Sequence, residues 1–155
     1  MTDTDTPALA ALSGLTLDYT VGRTERAANV QESAGFQGIE VDQLIRTLVV
    51  RRGENDYLFV LVPGGLSIDW PKLRSHLGVS RLSLPDAYEA RDATGYERGA
   101  ITPFGASRAW PVIVDASVSG KGLIALGGGA HGVNIHVDAD ALISVLDATV
   151  AAVTK

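Results

Sequence analysis

Thr94-Gly95-Tyr96-Glu97-Arg98-Gly99-Ala100-Ile101-Thr102-Pro103-Phe104-Gly105 sets three glycines and a proline within one short stretch. That density of turn formers excludes a helix or strand interior and reads as a loop. Glycine admits positive φ and close backbone approach, and proline fixes its own φ. A loop stiffened in this way holds backbone N–H groups at set positions. Such groups suit an electron-rich carbonyl or a developing oxyanion. The same composition also suits a tight connection between two core elements, and both readings stand at this point.

Working outward, Pro85–Ala93 reads as a short helix with Pro85 in its first turn and Gly95 as its stop. Before it, Asp69 or Ser67 caps a helix through Leu77 that Gly78 ends. Arg46–Arg52 and Tyr57–Val62 are β-rich runs joined by the four residues Gly53 to Asp56, a hairpin signal. Nearer the start, Thr6-Pro7 opens a helix to about Leu12. Leu15–Val21 alternates and reads as extended, and Thr24 caps a second helix through Ala34, closed by Gly35. After the loop, Trp110–Asp115, Gly122–Leu126 and Gly132–Val137 read as strands. Asp138 then caps a closing helix whose stripe of Leu142, Val145, Leu146, Thr149, Val150 and Val153 faces inward. Helices and strands mix without strict βαβ alternation. The expected class is α+β, with a curved, mostly antiparallel sheet.

The chain has 155 residues, 46% hydrophobic and 20% charged, which fits one domain with a real core. Residues 1–6 are expected to be a disordered tail. No apolar run approaches the length of a membrane span, and the start lacks the pattern of a signal peptide, so a cytoplasmic protein is expected. Cysteine is absent, which removes disulfides, thiolate nucleophiles and sulfur metal sites. A net charge of −5 argues against a general electrostatic grip on nucleic acid. Any RNA contact must use a local patch, for which Arg46, Arg51, Arg52, Arg91, Arg98 and Arg108 are the candidates; scattered surface arginines are the alternative.

Several stretches share one order and spacing with a known family. They are Gln43-Leu44-Ile45-Arg46-Thr47-Leu48-Val49-Val50, Val60-Leu61-Val62-Pro63-Gly64, Asp69-Trp70-Pro71-Lys72-Leu73, the loop quoted first, Val112-Ile113-Val114-Asp115, and Gly127-Gly128-Gly129-Ala130-His131-Gly132-Val133-Asn134-Ile135. Taken together they resemble the YbaK family of aminoacyl-tRNA editing domains, related to the insertion domain of prolyl-tRNA synthetase. The resemblance runs from about Thr20 to Val150. It implies a mixed sheet curled into a partly open barrel with helices around it. It also implies hydrolysis, in trans, of the ester on a mischarged tRNA carrying a Cys-, Ala- or Ser-type amino acid. The partner would be the acceptor end of an aminoacyl-tRNA, with no membrane. A fold that has kept tRNA or small-molecule binding and lost the reaction is the alternative.

The resemblance also points to residues. Arg46 stands where the family carries a lysine; it keeps the charge but offers a planar fork and no base. Gly99 and Pro103 match the family's Gly-x-x-x-Pro loop, which shapes the aminoacyl pocket and offers N–H donors to the ester carbonyl. With Arg46 they are the expected catalytic set. Thr47, Ile101, Thr102, Gly129, His131 and Asn134 are the expected substrate-binding residues, with Asn134 where many relatives carry an acidic one. Thr47 is equally explained by β-propensity, and His131 by ordinary loop exposure. No histidine has carboxylates at ligand spacing, so neither a metal nor any other cofactor is expected. No Gly-x-Ser-x-Gly elbow appears, so water or a group on the substrate would attack the ester.

Overall fold

The structure is a computed structural model describing residues 5–155. The side chain of Thr6 accepts the Leu9 N–H at 3.1 Å, and Pro7 opens α1 (Pro7–Ser13). Of the residues expected to form a tail, 1–4 lie outside those described, Asp5 pairs with Arg23 at 2.8 Å, and Thr6 is buried. β1 (Tyr19–Arg23) follows.

The second helix departs from the expected Thr24–Ala34. α2 spans Val30–Gln37, with Asn29 accepting the Glu32 N–H at 2.8 Å and the Glu32 carboxylate accepting the Ala28 N–H at 3.0 Å. Gly35 lies inside the helix, and Gly38 closes it at φ 68°. Thr24 instead runs on from β1, its N–H donating to the Gly132 carbonyl at 2.8 Å.

β2 (Ile45–Gly53) and β3 (Asp56–Pro63) form the expected antiparallel hairpin. Its turn is tighter than a four-residue loop: Gly53 pairs with Asp56, leaving Glu54-Asn55 to turn, with Asn55 at φ 54°. α3 (Trp70–Leu77) is capped by Asp69 and ended by Gly78. α4 (Ala87–Thr94) is capped by Asp86, so Pro85 lies just before it rather than in its first turn. β4 (Val112–Asp115), β5 (Leu123–Gly127) and β6 (Val133–Asp138) then lead to α5 (Ala139–Val145), capped by Asp138.

The long closing helix is also corrected. α5 stops at Val145, Asp147 takes φ 50°, and Thr149–Ala151 forms β7, parallel to β4. Leu142 and Val153 are buried as expected, but Val150 pairs with Val114 as a strand residue.

The fold is α+β with two sheets. One has the order β1-β6-β5 and is antiparallel; the other has the order β2-β3-β4-β7, with β3–β4 and β4–β7 parallel. Among the described residues the sheets meet at one bridge, between Leu44 and Ala125, and then part, so the barrel is not closed. β3 is buried on both faces. Tyr57, Phe59 and Leu61 join the core between the sheets, while Leu58, Val60 and Val62 join a second core under α3. The period of two along one strand accounts for this division.

Asp115, at the end of β4, is 3% exposed. Burial alone raises its pKa. Hydrogen bonds from the Ser117 hydroxyl, from the Val153 N–H at 3.0 Å and from the Ser117 N–H at 3.1 Å outweigh burial and hold the carboxyl below its usual value of 3.8. A depressed folded-state pKa contributes stability that is full above the unfolded value and is lost as pH falls through the folded one. Asp115→Asn should therefore cost about 1–3 kcal/mol at neutral pH, since the Val153 N–H loses a charged acceptor. It should also flatten the decline in urea midpoint between pH 6 and pH 3. Equal acid slopes for the variant and the wild type would count against Asp115 as a source of acid sensitivity.

Candidate functional site

Where the sheets part, a cleft of about 640 Å³ opens. Leu44 and the Ile45–Val49 stretch of β2 form one wall, and the segment from Thr24 into α2 forms another. Arg98, Gly99 and Ile101 of the loop after α4 close it from a third side, together with the adjoining loop from Gly127 to Asn134.

The organising loop is held along its whole length. The Thr94 hydroxyl donates to the Ala90 carbonyl at 2.8 Å and accepts the Tyr96 N–H at 3.1 Å. The Tyr96 hydroxyl crosses the loop to the Phe104 carbonyl at 2.6 Å, and burial pushes its pKa up to about 12, so it stays a donor. The Ala100 N–H donates to the Glu97 carbonyl at 2.9 Å. The Arg98 guanidinium reaches the Pro85 carbonyl at 3.2 Å, and the Ser107 N–H donates to Thr94 at 2.9 Å. Of the loop donors, the Ala100 N–H is thus occupied. The Gly99 and Ile101 N–H groups have no backbone acceptor among the described residues.

Glycine is required at two points here. Gly99 has φ 91°, and a Cβ there would lie 3.2 Å from the His131 ring. Gly105 has φ 65°, and a Cβ there would lie 2.2 Å from the Pro7 carbonyl oxygen of α1. α1 is also tied to the triple-glycine loop, because the Thr6 hydroxyl donates to the Gly128 carbonyl at 2.6 Å. One helix thereby fixes both loops that face the cleft.

Arg46, Thr47, Gly99, Ile101, His131 and Asn134 all line the cleft. Pro103, Thr102 and Gly129 do not. Thr102 is fully buried, its hydroxyl without a partner among the described residues, and Gly129 packs against Tyr96 and Ala8. Arg46 and Thr47 are adjacent on a strand, so the pleat sends them to opposite faces. Both reach the cleft because β2 is an edge strand. The Arg46 Nη2 donates to the Leu66 carbonyl, while its Nε and the Thr47 hydroxyl are buried without a partner among the described residues. His131 reaches Glu97 at 3.4 Å, linking the two loops, and Asn134 sits on β6, 9% exposed.

The arginines proposed as a patch are largely dispersed. Arg51 pairs with Glu89, Arg52 with Asp56, and Arg108 lies over the Trp110 ring at 4.4 Å. Arg46 and Arg98 line the cleft, joined by Arg26, which the sequence reading does not single out. That reading also misses Thr24, Asn29 and Ser33, which form a whole wall. The available signal is local: Asn29 and Glu32 have the spacing of a helix start. Moving the start of α2 to that point frees Thr24 to Ala28 to lie along the cleft.

Comparison with known proteins gives the chain a family. The aminoacyl-tRNA editing domain family matches residues 24–145. EbsC of Enterococcus faecalis, provisionally named a Cys-tRNA(Pro)/Cys-tRNA(Cys) deacylase, is 23% identical over 137 residues, covering 88% of this chain and 84% of that protein. The proline–tRNA ligase of Fervidobacterium nodosum is 30% identical over 120 residues, 76% of this chain. The chain spans only 21% of that ligase's length. A solved structure described provisionally as a trans-editing enzyme for prolyl-tRNA synthetase has a TM-score of 0.84 at 25% identity, covering 96% of this chain and 95% of that one. The hypothetical protein APE2540 shares the fold, with a TM-score of 0.82 at 22% identity over 93% of this chain and 95% of that one. With the family matched over residues 24–145, and with the fold gathering most of the expected residues around one cleft, the chain belongs to the aminoacyl-tRNA editing domain family.

Proposed function

We propose that the protein acts in trans to hydrolyse the ester of a mischarged tRNA carrying a small amino acid, with cysteine the first candidate because EbsC bears that name. The observation that carries this reading is the shared cleft. Arg46 and Thr47 from a strand edge, and Gly99 and Ile101 from a pinned loop, line one cavity. Water attacks the acyl carbon, the bond to the ribose oxygen breaks, and the proton passes to that oxygen, leaving a free amino acid and a free tRNA end. The loop's N–H groups stabilise the charge on the carbonyl oxygen. Arg46 holds a phosphate or the carbonyl at the acceptor end, and the editing step supplies discrimination that one methylene cannot. Such a role belongs to the cytoplasm.

One observation favours a second reading, a binding module without turnover. Arg46 already donates to the Leu66 carbonyl, and an arginine stands where a family lysine is expected. Cys-, Ala- and Ser-tRNAs of several acceptor types separate the two readings. The wild type should deacylate at least one of them. Arg46→Ala should lower kcat/KM by about 10- to 100-fold, the worth of one charge-assisted hydrogen bond, with Arg46→Lys recovering part of the loss. Binding of tRNA with no turnover on any substrate would establish the silent module instead.

A further inference from the structure

β2 is closed at both ends of its outer edge and open in the middle. At one end Leu44 bridges to Ala125. At the other, Arg51 and Ser83 exchange both main-chain bonds, at 2.8 and 3.1 Å. Arg51 therefore turns its N–H and C=O away from β3. The register of β2 with β3 is unbroken from Ile45–Pro63 to Arg51–Tyr57, so the alternation carries back along the strand. The Gly64 N–H donates to the Leu44 carbonyl at 2.7 Å, which places Leu44 among the residues that bond β3. The Phe59 N–H, opposite Val49, goes to the Pro111 carbonyl at 2.8 Å and not to β2. Thr47 and Val49 thus aim their main-chain N–H and C=O at the cleft, where among the described residues no strand pairs with β2 between the two bridges.

We infer that this strand edge reads the aminoacyl group itself: the Thr47 N–H donates to the acyl carbonyl oxygen, and the Thr47 C=O accepts from the α-ammonium. The inference rests on the deacylase reading and deepens it. An α-aminoacyl ester carries a donor nitrogen and an acceptor carbonyl one carbon apart, as a residue within a strand does. Opposite Thr47 it completes the two-bond pair that antiparallel residues exchange. The ammonium makes one of these bonds charge-assisted. Unpaired main-chain groups in a partly desolvated cleft call for such a partner. In this pairing the substrate side chain stands on the same face as that of Thr47, between Ile45 and Val49, where the apolar core bounds the space. Recognition through the main chain is indifferent to side-chain identity, which leaves selection to the size of that space.

The test uses the full chain and two non-hydrolysable probes, 3′-deoxy-3′-(L-alanylamino)adenosine and its 3′-propionylamino counterpart, which lacks the α-amine. The alanyl probe should bind about tenfold tighter or better. It should also slow hydrogen exchange at the Thr47 amide of the ¹⁵N-labelled protein. Thr47→Pro removes the outward N–H without breaking the β3 ladder, and should weaken the alanyl probe about tenfold at an unchanged far-UV spectrum. Equal affinity for the two probes, or binding that leaves the Thr47 amide unprotected, overturns the strand-edge pairing. If the wild type still deacylates its substrate, the deacylase reading survives that result. Absence of binding by both probes, together with absence of turnover, overturns both.

Discussion

Gly105→Ala should lower the melting temperature by roughly 6–12 °C, a loss of about 3 kcal/mol for a domain of this size. Two effects combine. The backbone sits at φ 65°, where an alanine costs about 1 kcal/mol. The new Cβ would also lie 2.2 Å from the Pro7 oxygen, 2.4 Å from its carbonyl carbon and 2.8 Å from the Ala8 nitrogen. All three are backbone atoms of α1, so relief requires the helix to lift. Ala8, Leu9 and Leu12 are fully buried on its inner face, and loosening buried leucines costs about 2–5 kcal/mol. Gly120→Ala is the control: its φ is 77°, but a Cβ there meets nothing within 4 Å. Thermal unfolding of the two variants separates collision from strain. Equal shifts would show that the α1 contact contributes nothing.

Gly99→Ala should leave stability within about 1–2 kcal/mol, the penalty for its positive φ. Deacylation, in contrast, should fall by about 100-fold. Its Cβ would meet the His131 ring at 3.2 Å, so either the ring or the loop must move. A displacement of about 1 Å at a positioning element is enough to cost two orders of magnitude. The assay compares kcat/KM of the variant with that of Gly120→Ala on the same tRNA. Undiminished turnover would remove the loop from the reacting centre.

The parts of the fold legible in the sequence are those fixed by short-range chemistry. The α3 boundaries follow from Asp69, whose carboxylate accepts the Lys72 N–H, and from Gly78 in the left-handed conformation. The loop from Thr94 to Gly105 is legible because its glycines admit the positive φ of turns and its proline fixes φ, which together exclude a helix or strand interior. The misread parts depend on distant partners. Thr149 and Val150 satisfy a helical stripe and a strand equally well, and what decides is the free edge of β4, remote in sequence. Thr24 has a capping side chain, but the Gly132 carbonyl takes its N–H and draws it into the cleft wall. At the site, the chain pattern brings Arg46, Gly99 and His131 to one cavity. It does not show that Thr102 is buried or that the half-buried Pro103 falls outside the cleft lining, since the loop's own turn decides which residues face inward.

β3 divides the molecule into a front and a back. Its odd-numbered side chains join the core between the sheets, while Leu58, Val60 and Val62 meet α3 on the reverse. Isovolumetric repacking of that reverse side, which cores tolerate at a cost below about 1.5 kcal/mol per swap, meets the cleft through Leu48, which packs on the reverse core and lines the cavity. Laboratory thermostabilisation, or slow drift between lineages, therefore has the smaller core in which to work, eight buried residues against twenty among those described, provided that Leu48 is kept.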